Sequence, residues 1–372
     1  MTQSETQYFA LLRSALWDEP VAIDGPIDWN AVMQTAQHHG NQALIGGVAS
    51  QMTGDNRPSE AILGKMQVAM RNNLLSQMRL RQILASALAV LRHHNIEPVL
   101  LKGFGLAMLY PNPNLRQFGD IDLYVGLGNF HEACSLLRTL PGSYNWGEEE
   151  DIGHHYNIEF GNYPMEVHRL SAEVIDPKDA EVYAAIERDG LYDYTQRLDC
   201  DGLVITVPSM EFVVFYTFFH AWEHFLTSGV GWRQISDVAM TIHAYHHQLD
   251  LNKLERWLTS MHLMKPWHAF GCLMVEQLGL PETELPFYDA SSRRTAQRLY
   301  SIVMEVGNFS RNSKFKQHSP KNGCARKLHA FVDIFVDFIY RARVYPSVAF
   351  REMFASFRSA WWKARKKKDF AT

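Results

Sequence analysis

The sequence predicts an α+β protein in which a small mixed sheet, with its own helices, lies between two helical regions. Three observations carry this. Apolar residues recur at helical spacing through most of residues 8–93. The period changes at Pro98, after which short apolar or alternating runs occupy 99–101, 120–125, 155–160, 165–168 and 203–207. Helical spacing returns from Pro208 onward. The division read from this is an N-terminal helical region over 1–95, an α/β core over 96–207 and a C-terminal helical domain over 208–372.

The elements follow in order. Residues 8–19 form a first helix with Phe9, Leu12 and Leu16 on one stripe, and Pro20 to Pro26 breaks it. Asp28 caps a helix from Trp29 to about His39, which Gly40 stops. After the turn at Asp55 to Pro58, helical spacing runs from about Ser59 to His93, as one long helix or two in series. Val99-Leu100-Leu101 reads as a buried strand. Lys102-Gly103 ends it, and a short helix follows to Tyr110, closed by Pro111 and Pro113. Residues 120–125 alternate polar and apolar, the period of a half-buried strand with Asp120 and Asp122 on one face. Asn129 caps a helix over 130–140. The strands 155–160 and 165–168 join at Gly161-Asn162 as a hairpin, and 203–207 adds a strand or a bridge. Helices are then expected over 209–226, 232–247, 254–276 and 295–306, a loop over 308–323, and helices over 325–345 and 349–366.

Composition bounds the function. A chain of 372 residues that is 47% hydrophobic buries a sizeable core, and 20% charged residues place it among folded rather than disordered chains. A net charge of -4 gives no global signature of nucleic-acid binding. The four cysteines, Cys134, Cys200, Cys272 and Cys324, lack metal-ligand spacing and read as reduced thiols. The start has no basic region followed by an apolar run, and the apolar stretch from Phe212 to Phe219 is far too short for a bilayer. No transmembrane segment and a cytoplasmic location are expected.

The chemistry concentrates in the sheet region. Two carboxylates at i and i+2 on one strand face repel unless a cation lies between them. Mg²⁺, or Mn²⁺ in its place, takes oxygen ligands and is held by one or two carboxylates plus substrate phosphates. Asp120 and Asp122 supply that pair, and Glu166, on the polar face of the neighbouring strand, supplies a third carboxylate. Three such groups suit two ions that clamp the attacking and leaving oxygens of an in-line displacement. DxD on a strand is otherwise a solvent-facing pattern. Upstream, Lys102-Gly103 lies where a strand turns into a helix, so backbone N–H groups there can meet phosphate oxygens. Arg116 is spaced to reach a phosphate or to salt-bridge an aspartate.

The runs Val99 to Pro111 and Leu115 to Val125, centred on Lys102-Gly103 and Gly119-Asp120-Ile121-Asp122, resemble an uncharacterised nucleotidyltransferase-like family of bacterial proteins within the DNA polymerase β-type superfamily. The resemblance continues at Met165-Glu166-Val167-His168, at His220 and from Gly231 to Asp237, and spans most of residues 29–245. It implies a nucleotidyltransferase-type sheet and a metal-dependent transfer of an NMP group from an NTP, with ATP as the expected nucleotide. The acceptor would be a hydroxyl of a small molecule, a protein or an RNA end. Asp120 and Asp122 match the metal-binding pair and Glu166 the third acidic position. Lys102-Gly103 stands where the wider superfamily has Gly-Ser, so the serine that touches the triphosphate is missing. The alternative is a weak or inactive member of the fold that acts as a ligand-binding or regulatory module.

The remaining candidates are less specific. His220 and His224 share a helix face with Glu223 nearby, without the order of a zinc signature, and read as structural or substrate-facing. Arg233 and Asp237, at i and i+4, form either a helix-surface ion pair or a site-facing pair in which Asp237 holds Arg233 toward phosphate or acceptor. His154, His155 and His168 surround the carboxylate strands, and His168 shares the face of Glu166. The basic end from Trp361 to Lys368 is a solvated helix terminus or a contact for RNA, another acidic partner or a membrane surface.

Overall fold

Four helices lead into the sheet. In α1 (Gln3–Trp17), the Thr2 side chain accepts from the Glu5 N–H while the Glu5 carboxylate accepts from the Thr2 N–H, a reciprocal cap. Asp28 caps α2 (Trp29–His39) through the Ala31 N–H, and Gly40 ends it at φ +74°, where glycine carries no Cβ penalty. The next helix, α3 (Gln42–Ala49), is absent from the sequence reading. Six of its eight residues are buried, so it carries no amphipathic period to detect. The run that followed is one helix, α4 (Glu60–His93), of 34 residues. That is about 51 Å long. Its first part packs Leu63 and Met66 into one core and its second packs Leu80 to Leu91 into another.

The computed structural model describes residues 1–144, 153–174, 176–191, 195–308, 338–339 and 341–350. Among these, seven strands form one mixed sheet: β1 (Val99–Leu100), β2 (Ile121–Tyr124), β3 (Ser143–Tyr144), β4 (His155–Phe160), β5 (Tyr163–His168), β6 (Gln196–Cys200) and β7 (Leu203–Val207). Their order is β3-β4-β5-β2-β1-β7-β6. The pairs β2–β5 and β1–β7 are parallel and the others antiparallel. The β4–β5 hairpin turns at Gly161, φ +68°, as its sequence indicates. Between β1 and β2 lies α5 (Phe104–Ala107), a single turn.

Four further elements depart from the sequence reading. The helix α6 (Gly126–Leu137) starts four residues earlier than Asn129 suggests, because the Asn129 side chain donates back to the Val125 carbonyl instead of capping. Neither α7 (Pro177–Leu191) nor the edge strand β6 is part of the sequence reading. The segment 254–276 is split into α10 (Leu251–Ser260) and α11 (Met264–Leu273) by a turn in which His262 takes φ +58°.

One sheet face packs on α4 and α6, with Ile121, Leu123, Met165 and Val167 in that core. The helices α8 (Met210–Thr227), α9 (Trp232–Tyr245), α10, α11 and α12 (Arg293–Val306) share a second core with α1 to α3. Tyr124, Val99 and Leu101 join this second core from the sheet. All four residues of β2 are therefore buried, not the half-buried strand that alternation suggests, because helices cover its polar face too. The expected loop and helices beyond residue 308 fall mostly outside the described residues, and the basic end 361–368 falls wholly outside them. Among the described residues, no helix is long and apolar enough to cross a membrane.

Candidate functional site

The parallel register of β2 and β5 sets Asp122 directly opposite Glu166 and Tyr124 opposite His168. Side chains alternate along a strand, so Ile121, Leu123, Met165 and Val167 enter one core while Asp122, Glu166 and His168 share the other face. His168 Nε2 lies 3.3 Å from Asp122 Oδ1 and 3.3 Å from Glu166 Oε2. Lys102 Nζ, arriving from the end of β1, lies 2.9 Å from Asp122 Oδ1. Gly103 makes this approach possible: at φ +69° and ψ -115° it turns the chain out of β1 in a conformation that L side chains rarely adopt.

The electrostatics are those of a coupled cluster. Burial disfavours the Lys102 ammonium, but Asp122, Asp120 and Glu166 outweigh it and raise its pKa. Burial also works against the Glu166 carboxylate, yet the His168 hydrogen bond and the Lys102 charge hold it at about 2. His168 loses to burial and gains more from Asp122 and Glu166, so its pKa rises. Asp120 precedes β2 and is half-buried. It contributes to this field from outside the close group formed by the ligand atoms of Asp122, Glu166 and His168, which lie within 4.8 Å of one another.

This donor set fits a divalent cation. Asp122 is fully buried, and its Oδ2 has no hydrogen-bond partner. Glu166 opens onto a cavity of about 720 Å³. Lys102, His168, His220 and His224 line the same cavity, with Phe219, Trp222 and Leu226 as an apolar wall. His220 Nε2 is 3.3 Å from Lys102 Nζ and 2.9 Å from His224 Nε2. Burial, reinforced by the Lys102 charge, pushes His220 well below its usual pKa and His224 to about 3, so both rings are neutral at neutral pH. The histidine pair on α8 thus faces the carboxylates across the cavity.

The expected pair of Arg233 and Asp237 is corrected. Asp237 is held instead by Arg116, with Nε to Oδ1 at 2.6 Å and Nη2 to Oδ2 at 2.9 Å, and by the Tyr110 hydroxyl at 2.6 Å. Arg116 Nη1 donates to the Gly103 carbonyl at 3.0 Å. Arg233 donates to the Gln117 carbonyl at 3.2 Å. The i, i+4 spacing overlooks this because a buried planar guanidinium from the preceding loop offers Asp237 two bonds at once. Tyr110 is a partner that the sequence did not reveal, since a tyrosine before Pro111 carries no signal for a carboxylate 127 positions away.

Residues 25–279 match a family model described as "Uncharacterised nucleotidyltransferase". No curated protein matches the chain. Among solved structures, an antigenic nucleotidyltransferase-like protein from Paracoccidioides brasiliensis matches at 14% identity and a TM-score of 0.34, over 58% of this chain and 96% of that one. The family match spans well over half of the sequence, and the chain belongs to the uncharacterised nucleotidyltransferase family.

Proposed function

We propose that the protein transfers an NMP group from an NTP, with ATP as the expected nucleotide, to a hydroxyl of an acceptor, using Mg²⁺ or Mn²⁺. The single observation that carries this reading is the register-matched pair of Asp122 and Glu166, with an Asp122 Oδ2 that is buried without a hydrogen-bond partner and with Glu166 on the wall of the cavity. Asp122 and Glu166 would hold the cation, with Asp120 adding a carboxylate at the mouth of the strand. A divalent cation there supplies charge neutralisation at the phosphates and at the leaving pyrophosphate. Lys102 serves the triphosphate as a point charge. Glu166, ionised at neutral pH, orients the acceptor hydroxyl, whose proton passes to solvent water as the bond to phosphorus forms. The acceptor oxygen bonds to the α-phosphorus as the bond to the bridging oxygen breaks and pyrophosphate leaves. The contribution of the protein is positioning and a fixed field. Arg116, with three nitrogens committed to Asp237 and Gly103, supports the Lys102–Gly103 turn. The small molecule, protein or RNA end that accepts the group enters by the cavity beside α8.

A second reading, a nucleotide-binding or regulatory module with little turnover, is favoured by one observation. Lys102 already neutralises Asp122 at 2.9 Å, and no serine follows Gly103. ATP labelled at the α-phosphate, incubated with full-length protein, Mg²⁺ or Mn²⁺ and fractionated lysate, separates the two. Transfer predicts a labelled acceptor in wild type that falls at least about 100-fold in Asp122→Asn. Binding of ATP with no Asp122-dependent label in any fraction would favour the regulatory module.

A further inference from the structure

A second set of metal-type donors stands on the same sheet and meets the carboxylate group at His168, while its other two members, His154 and His155, take no part in the transfer reaction. His154 precedes β4, His155 opens it, and His168 closes β5 directly opposite His155 in the antiparallel register. The tight turn at Gly161 fixes that opposition. His154 Nε2 and His155 Nδ1 are 2.9 Å apart, and all three histidines present ring nitrogens within 4.8 Å of one another. Two ring nitrogens at this distance share either one proton or one cation. Nitrogens bound at about 2.1 Å to one metal ion stand about 3.0–3.4 Å apart, so only a small adjustment separates this cluster from coordination.

Two further features point to a ligand. His168 is 2% exposed, and its Nδ1 is buried without a hydrogen-bond partner. The other two rings each have a carboxylate behind the outward nitrogen: His154 Nδ1 is 3.8 Å from Glu173 Oε2, and His155 Nε2 is 3.9 Å from Glu166 Oε1. At these distances the carboxylates supply negative charge near the rings rather than hydrogen bonds to them.

We propose that His154 and His155, together with the His168 that they share with the Asp122–Glu166 pair, bind a borderline divalent cation of the Zn²⁺, Co²⁺ or Ni²⁺ class. Imidazole nitrogens favour such ions, whereas Mg²⁺ prefers oxygen ligands and keeps its waters. His154 and His168 line the cavity, so an anionic or hydroxyl group of a substrate can complete the coordination there. The site does not depend on nucleotidyl transfer.

The test is a Co²⁺ titration of full-length, EDTA-stripped protein in excess Mg²⁺, followed by visible absorption. Wild type is expected to bind Co²⁺ that Mg²⁺ does not displace. The His154→Ala/His155→Ala variant is expected to bind at least about tenfold more weakly. Asp120→Asn, which removes an oxygen donor of the transfer site, is expected to keep Co²⁺ affinity within about twofold; this separates failure of the histidine site from failure of the transfer reading. On wild type alone, Zn²⁺ should protect His154 and His155 from diethyl pyrocarbonate, as mapped by peptide mass spectrometry. Displacement of Co²⁺ by Mg²⁺, undiminished binding in the double variant, or no protection by Zn²⁺ would each overturn the proposal.

Discussion

The chain holds two buried ion-pair centres that start from similar materials and end differently. In one, Arg116 and Asp237 are each at least 93% buried, and Asp237 receives two bonds from Arg116 and one from Tyr110. The remaining guanidinium bond goes to the Gly103 carbonyl. In the other, Asp122 is fully buried, yet Oδ2 has no partner, and Lys102, Glu166 and His168 line a cavity. A centre whose donors and acceptors are matched stabilises the fold. A centre that keeps an unfilled acceptor beside open space can take up a ligand. The two are linked, because the filled centre holds the carbonyl of the glycine that aims Lys102 into the open one.

The comparison is broken most severely at the filled centre. Asp237→Ala leaves the Arg116 charge buried without its partner and should cost about 3–5 kcal/mol in urea unfolding. The same truncation at Asp122 should cost less, because Asp120 and Glu166 remain to hold Lys102. Equal losses at the two positions would remove the distinction. Tyr110→Phe deletes one bond to a charged acceptor and should cost about 1.5–3 kcal/mol by the same measurement.

His39 sharpens the comparison at the smallest scale. It is fully buried in the helical core and neither ring nitrogen has a hydrogen-bond partner, but it is not part of the ion-paired group whose Lys102, Glu166 and His168 line the cavity. An unfilled valence outside such a group is a cost, not a site. Burial, aided by His38, depresses its pKa to about 3, below the ordinary 6.5 of the unfolded chain. The sign follows: its contribution to stability is complete above pH 6.5 and is lost as pH falls toward 3. His39→Phe should leave stability at pH 7 within about 1 kcal/mol of wild type and flatten the loss on acidification, read from Tm against pH. A Tm profile as steep as that of wild type would assign the acid sensitivity elsewhere.

Much of the open centre was legible in the sequence. Alternation along 120–125 placed Asp120 with Asp122 and alternation along 165–168 placed Glu166 with His168; the structure sets Asp122 opposite Glu166 and leaves Asp120 outside the close group. The Gly103 turn was legible from a strand that stops at Lys102-Gly103. The filled centre was not, because Arg116 and Asp237 are 121 positions apart and helix spacing reports only local neighbours. Likewise α3 was hidden by being buried on nearly all sides, and the depth of Asp122 by α8, which no local pattern in β2 reveals.

The central claim is that Asp122 belongs to a metal-dependent nucleotide site. Calorimetric titration of wild type and Asp122→Asn with ATP, with and without Mn²⁺, tests it most directly. The account predicts Mn²⁺-dependent ATP binding in wild type and a loss of at least about 100-fold in the variant, with the variant still folded by circular dichroism. Mn²⁺-dependent binding that is unchanged in the folded variant, or none in wild type, would contradict it.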